Sequence, residues 1–233
     1  MIKKTKKKNL MNKNINKHKE YNMYEAIEIL KQNQSKNFIE SVDIAINLSI
    51  NPKKSEQSVR GSTVLPHGIG RKIKVAVFAQ GENIQKAKKY GADLAGGNEI
   101  IEHFKNKKNN FDIVLATPEI MPMIGKLGPI LGPKGLMPNP KTGTITNNLK
   151  EAIFNAKKGK IKYKNDKNGI IHTTIGKINF SNEYLYNNLN QLIVELNKIK
   201  PMHSKGNFIK KIVISTTMGI GLKITNYKLQ EKL

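Results

Sequence analysis

Apolar residues recur along the chain with two different periods, and each period predicts a different element. Four of them near the start are spaced by three and four positions, which predicts a helix that ends at about Lys31. They are Met23, Ala26, Ile27 and Leu30. After Phe38 the period becomes two, which predicts a half-buried strand that ends before Pro52. Its inward-facing residues are Val42, Ile44, Ile46 and Leu48.

Strands and helices alternate in the middle of the chain. The apolar run at residues 73–78 predicts a strand, and residues 82–90 predict a helix that Gly91 can end. A second helix is predicted to begin at Asn98, and residues 111–116 predict another strand. This alternation is typical of a small parallel α/β unit.

The segment at residues 121–143 is dense in glycine and proline, with five of each. Because proline lacks the N–H group and glycine opens positive φ, we expect consecutive turns here instead of helix or strand. The segment carries three lysines and no acid, and it also holds apolar residues such as Leu127 and Leu131. These apolar residues favour a packed loop that docks on a partner, with a solvated linker as the alternative.

After this segment the pattern returns to that of the first residues. A helix is predicted at residues 148–158, and strands are predicted at residues 161–164 and 170–175. The two strands flank Asn168-Gly169, a pair that favours a hairpin turn.

One more helix and strand follow. Ser181 is placed to cap the helix, and residues 208–217 predict the strand, with residues 218–221 as its turn. The apolar stripe of the helix is Leu185, Leu189, Leu192, Ile193 and Leu196.

The order of these elements predicts two domains. Residues 60–71, rich in glycine and proline, are expected to cross between them. We therefore expect a discontinuous domain at residues 1–67 and 157–233, with an α/β domain inserted at residues 68–156.

Charge points to a polyanionic partner. The chain has 41 basic and 17 acidic residues, a net charge of +24, and counterion release rewards such a chain when it binds nucleic acid. The insert at residues 68–156 holds 13 basic and 7 acidic residues, so most of the excess lies in the flanks. The first 19 residues carry eight lysines and no acid and are expected to form a mobile basic arm. No apolar run is long enough to span a membrane, so no membrane partner is expected.

Several enzyme classes are excluded. With no cysteine and five scattered histidines, neither thiol chemistry nor a metal site is expected. Gly68-Ile-Gly70 precedes its strand, which is the wrong context for a dinucleotide-binding loop, and Pro133 breaks the match to a phosphate-binding loop. No enzyme activity and no cofactor are therefore expected.

Two short segments carry the residue types that bind RNA. Lys36, Phe38, Glu40 and Ser41 combine a cation, an aromatic ring, a carboxylate and a hydroxyl before a strand. Residues 215–219 supply three hydroxyls, a methionine and a glycine. Ordinary structural roles, such as Phe38 in the core, remain open for each segment. Lys167 and His172 beside the predicted hairpin turn are open to the same two interpretations.

Together these stretches resemble the bacterial family of large-subunit ribosomal protein one. The resemblance is carried by residues 38–43, 59–61 with 65–68, 126–141, 165–172 and 215–219, which occur in the order of the family. It implies a fold of the α/β and α+β classes, in which a discontinuous α+β sandwich is joined to an inserted Rossmann-like α/β domain by a two-stranded hinge.

The resemblance also implies a role in translation. A member of this family binds a helical junction of large-subunit ribosomal RNA at the mobile stalk near the exit site. It assists release of deacylated tRNA and represses translation of its own mRNA. Such a chain acts as a monomer within a cytoplasmic ribosome, bacterial or, as an alternative, organellar. The RNA-binding positions that the resemblance implies are Lys36, Phe38, Glu40, Ser41, Asp166, Lys167, His172, Ser215, Thr217, Met218 and Gly219.

We expect the contacts around Phe38 and residues 217–219 to be mostly uncharged, with lysines around them supplying long-range attraction. The rival interpretation is a generic basic protein that binds nucleic acid by charge alone.

Overall fold

The computed structural model describes residues 15–16, 19–35, 37–105, 111–201 and 206–225, without the side chains of Ser55, Asn98 and Lys105. The predicted basic arm and Lys36 lie outside the described residues. The strands are β1 (Glu20–Tyr21), β2 (Ser41–Leu48), β3 (Arg60–Val64), β4 (Val75–Phe78), β5 (Leu94–Gly96), β6 (Ile113–Ala116), β7 (Lys160–Lys164), β8 (Ile170–Lys177), β9 (Ile209–Thr216) and β10 (Leu222–Ile224). The helices are α1 (Met23–Gln32), α2 (Glu82–Lys89), α3 (Asn98–Lys105), α4 (Met121–Gly125), α5 (Gly128–Leu131), α6 (Leu149–Gly159) and α7 (Asn182–Lys198). The predicted mixture of α and β structure is confirmed.

The chain divides into two compact units. The first is built from the described parts of Met1–Val59, Leu65–Gly70 and Tyr163–Leu233, and the second from Arg60–Val64 and Arg71–Lys162. The predicted domain boundaries at residues 67, 68, 156 and 157 remain predictions, and α6 continues past residue 156 to Gly159.

The first unit contains a five-stranded sheet in the order β1-β10-β9-β2-β8. Strand β2 is central and antiparallel to both neighbours, β8 and β9. The predicted alternation in β2 is confirmed, because Val42, Ile44, Ile46 and Leu48 are all buried. Helices α1 and α7 pack against each other and against strands of this sheet. The predicted stripes of both helices are buried, so the helices and one face of the sheet share a core.

Capping holds α7 in place. The Ser181 Oγ accepts a hydrogen bond from the Tyr184 N–H at 3.2 Å, which confirms the predicted cap. Farther along the helix, the buried Asn188 amide donates to the carbonyl oxygens of Gly68 and Ile175. Asn188 thus ties the segment at residues 65–70 to α7.

The second unit contains a three-stranded parallel sheet in the order β5-β4-β6. All four residues of β4 and of β6 are buried, as in a parallel sheet covered on both faces. The predicted strands and helices of this region are confirmed, including α2, which Gly91 follows at a φ of 91°. The three-residue strand β5 was not predicted.

The prediction that residues 121–143 contain no helix is wrong, because α4 and α5 lie there. A proline occurs within the first two positions of each helix, where its missing N–H has no intrahelical partner to lose. Leu127, Leu131 and Leu136 are buried in the same cluster as Phe78 and Phe104. The segment is therefore packed, and the solvated linker is excluded.

The predicted hairpin of residues 161–164 and 170–175 is also wrong. Its two strands exist as β7 and β8, but β7 pairs with β3 and β8 pairs with β2. Only an isolated bridge joins Asn165 to Ile171 within the described residues. The Asn165 side chain instead accepts a hydrogen bond from the Val59 N–H at 2.8 Å, which draws the chain towards the residue before β3. Strand β3 itself lies in the segment that was predicted as a plain crossing.

Candidate nucleic-acid interface

Two distant segments meet at one end of the five-stranded sheet, where β2 begins and β9 ends. The Thr217 N–H donates to the Ser41 carbonyl oxygen at 3.1 Å, and the Ser41 N–H donates to the Thr217 Oγ1 at 3.1 Å across 176 positions of sequence. We call this end of the sheet, with the described residues of 37–43 and 215–219, the contact end. Its backbone is fixed by paired strands, so it is preorganised to receive a partner.

Large apolar side chains are exposed at the contact end. Phe38, Ile39 and Met218 are 48%, 57% and 67% exposed. Phe38 is thus not the core residue that the structural interpretation required. A surface that is apolar and exposed on a preorganised backbone is suited to stacking and close contact with a partner.

Hydroxyl groups and small residues complete this surface. The side chains at positions 41, 43 and 215 alternate with the buried residues of β2 and β9 and are partly exposed. The Ser41 Oγ accepts a hydrogen bond from Lys177 Nζ at 2.8 Å. Asp43 accepts one from the Thr174 Oγ1 at 2.6 Å. Both charged groups are therefore held by hydroxyl partners from a neighbouring strand, which leaves a polar but nearly neutral face.

Gly219 has a structural role in the turn after β9. Its N–H donates to the Thr216 carbonyl oxygen at 3.1 Å, and a Cβ at this position would collide with the Thr216 Oγ1. The absence of a side chain is needed to close the turn that presents Met218.

Glu40 differs from its predicted neighbours because it is 1% exposed. One carboxylate oxygen accepts the Ser35 N–H at 3.2 Å, and the other has no hydrogen-bond partner among the described residues. The buried Glu40 side chain therefore holds the segment before β2 in place.

Three predicted residues lie away from the contact end. Asp166 and Lys167 precede β8, whereas Lys177 ends it at the contact end, so the strand separates the two groups by about 23 Å at 3.3 Å per residue. His172 lies between them, paired with Ala45. The structure thus brings together Phe38, Ser41, Ser215, Thr217, Met218 and Gly219, and it does not bring Asp166, Lys167 or His172 beside them.

Asp166 organises the turn before β8. Its Oδ1 accepts the N–H groups of Ile170 and Asn168, each at 2.8 Å. These bonds, that of Ile170 first, hold the pKa of the Asp166 carboxyl below its usual value, and the nearby His172 acts in the same direction. Lys167 in this turn is exposed. The turn therefore presents a cation next to a fixed carboxylate.

Sequence reasoning missed Thr174 and Lys177 as members of this surface. Lys177 pairs with Ser41 only because β8 and β2 are antiparallel neighbours. The polar positions that alternate with apolar ones in β2 gave the available signal, since they mark the face that α1 and α7 do not cover.

Other kinds of site find no support in the described part of the chain. Within it, no three histidine, aspartate or glutamate side chains come together in a way that would hold a metal ion. None of the helices that the structure describes is both long and apolar enough to cross a bilayer.

Comparisons with known proteins agree with the resemblance. The family model described as "Ribosomal protein L1p/L10e family" matches residues 30–220. The chain is 58% identical over 224 residues to the large ribosomal subunit protein uL1 of Buchnera aphidicola subsp. Baizongia pistaciae, with 96% of each chain covered. It is 55% identical over 224 residues to proteins of the same name from Haemophilus influenzae (strain PittEE) and Pasteurella multocida (strain Pm70), with 96% of this chain and 98% of each relative covered.

Proposed function

The chain belongs to the ribosomal protein L1p/L10e family, and from that membership we propose that it is a structural constituent of the large ribosomal subunit that binds ribosomal RNA. Its relatives are named as ribosomal proteins of the large subunit, which confirms the prediction of a non-enzymatic chain. The ribosome concerned is that of the bacterial cytoplasm.

The contact end is the RNA-binding surface in this proposal. The observation that carries it is the reciprocal pair of hydrogen bonds between Ser41 and Thr217, which fixes two exposed apolar segments, one at Phe38 and one at Met218, at the same end of a rigid sheet. Hydroxyl groups there meet ribose 2′-hydroxyls, Phe38 stacks, and Met218 packs against the sugar–phosphate backbone. Specificity then comes from the shape of the folded RNA and not from base edges in a groove.

The second group of predicted residues extends this surface. His172 lies in β8 and Lys167 in the turn before it. The strand spans about 23 Å at 3.3 Å per residue, which is shorter than one turn of a nucleic-acid duplex, about 34 Å. A single helical junction of RNA is long enough to reach both groups. Glu40 supports the contact end from the interior and does not touch RNA in this proposal.

The finer roles follow from the family. The discontinuous domain at residues 1–67 and 157–233 holds the ribosomal RNA, and the inserted Rossmann-like domain at residues 68–156 is joined to it by the two-stranded sheet of β3 and β7. The protein assists release of deacylated tRNA at the exit site. It also represses its own translation, because an mRNA with a junction of the same shape fits the same contact end.

A competition experiment tests RNA recognition against the rival of a generic basic protein. The intact chain is bound to a labelled large-subunit RNA junction at moderate salt, and unrelated folded RNA of equal length is added as competitor. We expect the junction to remain bound at competitor excess, because binding by counterion release alone is not selective and decays steeply with salt. Equal competition by both RNAs would support the rival.

A deletion tests whether recognition needs residues 71–159 of the second unit. Residues 71–159 are replaced by a short glycine-serine linker, so that the segment tied down by Asn188 stays in place. We expect the shortened protein to keep its preference for the junction over unrelated RNA. A folded deletion variant without that preference would move the site to the second unit.

A further inference from the structure

A cluster of cations in the second unit is not used by the proposed function. Strands β3 and β7 form a two-stranded sheet. Along β3, Arg60 is exposed while Gly61 is buried, and along β7, Lys160 and Lys162 are partly exposed on either side of the buried Ile161. The alternation places both lysines of β7 on one face of its strand. We call Arg60, Lys160 and Lys162 the cationic sheet.

The charges of the cationic sheet act on one another. Burial first, and then the nearby positive charges of Lys160 and Arg60, together lower the pKa of Lys162 to about 8. Burial also lowers the pKa of Lys160, against an opposing effect of Glu151. Among the described residues, no carboxylate comes within ion-pair distance of any of the three.

The surroundings of the cluster offer hydrogen-bond acceptors, and the charge of Glu151 acts on Lys160 without forming an ion pair. Lys160 Nζ donates to the Gly143 carbonyl oxygen at 3.2 Å. The Ser62 Oγ, two residues after Arg60, donates to the Thr142 carbonyl oxygen at 3.0 Å. The turn at residues 140–143 thus lies against the cationic sheet, and it adds the exposed Lys141. It brings no acid.

Three like charges that form no ion pair do not stabilise a fold. Each lysine is partly desolvated, and their mutual repulsion favours the neutral form. Glutamine or methionine at the same positions would keep the strands and remove the repulsion. Perturbed ionisable groups that the fold does not need mark binding sites, and three cations without an ion-paired carboxylate favour an anion as the partner.

The arrangement also indicates the kind of anion. Residues two positions apart on a strand are about 6.6 Å apart, and further cations lie on the other strand and on the turn. A single small anion cannot meet all of them, whereas a polynucleotide presents one negative charge per nucleotide along its length. The cationic sheet carries no exposed apolar side chain of the kind that anchors a protein partner.

We propose that the cationic sheet is a second RNA-binding surface, in the second unit, which holds the sugar–phosphate backbone of RNA without regard to sequence. It is distinct from the contact end in residues and in chemistry. Phosphate groups bound beside Lys162 favour the charged form of its amine.

Amine labelling of the intact, unmutated chain tests the proposal directly. Lysines are acylated at pH 8 with a limiting amount of an amine-reactive reagent and quantified by mass spectrometry. We expect Lys162 to react faster than the exposed Lys86, which is paired with Glu82 at 3.1 Å, because more of it is deprotonated. An unrelated RNA duplex should protect Lys162 severalfold and leave Lys86 unchanged.

The other arms of this experiment identify rival ligands. Inorganic phosphate and poly-glutamate are added at the same concentration of negative charge as the duplex. Equal protection by inorganic phosphate would replace the proposal with a small-anion site, and protection by poly-glutamate alone would replace it with an acidic protein partner. Protection by none of the three would overturn it. Protection by the duplex alone is the expected result.

A matched pair of variants gives a second, independent readout. One carries Arg60→Gln, Lys160→Gln and Lys162→Gln, and the control carries Lys86→Gln, Lys88→Gln and Lys89→Gln on α2, with the same change in charge. Loss of each phosphate contact lowers the salt slope of nonspecific RNA binding by about 1. We therefore expect a slope lower by about 3 in the first variant and nearly unchanged in the control. Equal slopes would overturn the proposal.

A further control distinguishes failure of this proposal from failure of the proposed function. The labelling is repeated on a chain with Met218→Asp, which alters only the contact end. Protection of Lys162 by the duplex should persist in this chain. Loss of junction recognition with persistent protection, or the reverse, tells which of the two surfaces fails.

Discussion

The contact end of the first unit and the cationic sheet of the second unit differ in whether their charged side chains have bonding partners. At the contact end, Lys177 and Asp43 are each bonded to a hydroxyl, and the exposed side chains, such as those of Phe38 and Met218, are apolar. On the cationic sheet, neither Lys160 nor Lys162 forms an ion pair with a carboxylate of the described residues. A neutral, rigid surface discriminates by fit, since a wrong shape leaves its polar groups unpaired. An unpaired cationic surface attracts any polyanion and loses that attraction in salt.

The largest effect is expected from a charge at the contact end. Met218→Asp places a carboxylate against RNA phosphate and should weaken binding of the specific junction by about 3 kcal/mol, the order of an uncompensated charge in an interface. Met218 is 67% exposed, so folding should be unaffected, which thermal unfolding will check. Phe154→Asp is the matched control, because Phe154 is 65% exposed and lies in the second unit. Equal binding by the two variants would remove the contact end from the interface.

A smaller effect is expected from the hydrogen bond that joins the two segments. Thr217→Val removes the acceptor of the Ser41 N–H and should destabilise the first unit by about 1 kcal/mol, measured by chemical denaturation. Binding of the junction should fall more than stability, because Phe38 and Met218 lose their common support. Thr217→Ser keeps the hydroxyl and should behave like the unmutated chain. A valine variant with full affinity would show that the pairing does not position the surface.

We expect Lys162 of the cationic sheet to change how the free energy of unfolding depends on pH. The pKa of Lys162 in the folded chain is about 8, below its usual value of 10.5. Between these two values the unfolded chain binds more protons, so this group makes stability rise as the pH increases from about 8 to about 10. The free energy of unfolding, measured by chemical denaturation, should show this rise in the unmutated chain and not in Lys162→Met. The variant should be the more stable of the two at pH 7. Parallel pH profiles would mean that Lys162 is not destabilised by its surroundings.

The smallest effect concerns the turn before β8. The pKa of Asp166 is lowered by the N–H groups of Ile170 and Asn168, so its contribution to stability is present above the pKa of the unfolded chain and is lost as the pH falls through the lower, folded value. The free energy of unfolding should therefore fall less steeply with decreasing pH in Asp166→Asn than in the unmutated chain. A carbon-detected NMR titration of the carboxyl gives the pKa itself, and an unshifted value would contradict the role assigned to these bonds.

The elements that the sequence predicted are those with a long hydrophobic period. Helix α7 shows its stripe over several turns and begins after the predicted cap, Ser181. Strand β2 alternates over its whole length and lies within the predicted strand, which extended about three residues too far at each end. Strands β1, β5 and β10 have two or three residues each, too few for a period to appear. They form because neighbouring strands offer hydrogen bonds, and that information lies elsewhere in the chain.

The two wrong predictions have local causes. In residues 121–143 the proline count suggested turns, but Pro122 and Pro129 occupy helix starts, where proline is tolerated. In residues 161–175 the Asn168-Gly169 pair does form a turn, yet the bond between Asn165 and Val59 separates the strands into different sheets. Residue counts could not show that these prolines stand at helix starts. They also could not show that the strands on either side of the turn pair with other strands.

The candidate site was only partly visible from the sequence. Residue types suggested Phe38 and Thr217, and the family resemblance supplied the rest of the predicted positions. The bond between Lys177 and Ser41 joins residues 136 positions apart, and the interacting charges of Arg60 and Lys162 lie on separate strands. Such pairings depend on which strands become neighbours, and those strands lie far apart in the sequence.

The strands of the five-stranded sheet are synthesised far apart in time, and this decides when the contact end can form. Strand β2 emerges early from a translating ribosome, but its two neighbours, β8 and β9, are made more than a hundred residues later. Until then neither backbone edge of β2 has its partner strand, and the reciprocal bonds to Thr217 cannot form. Long-range pairing of this kind also slows folding. A nascent chain that ends before Thr217 therefore lacks the complete contact end.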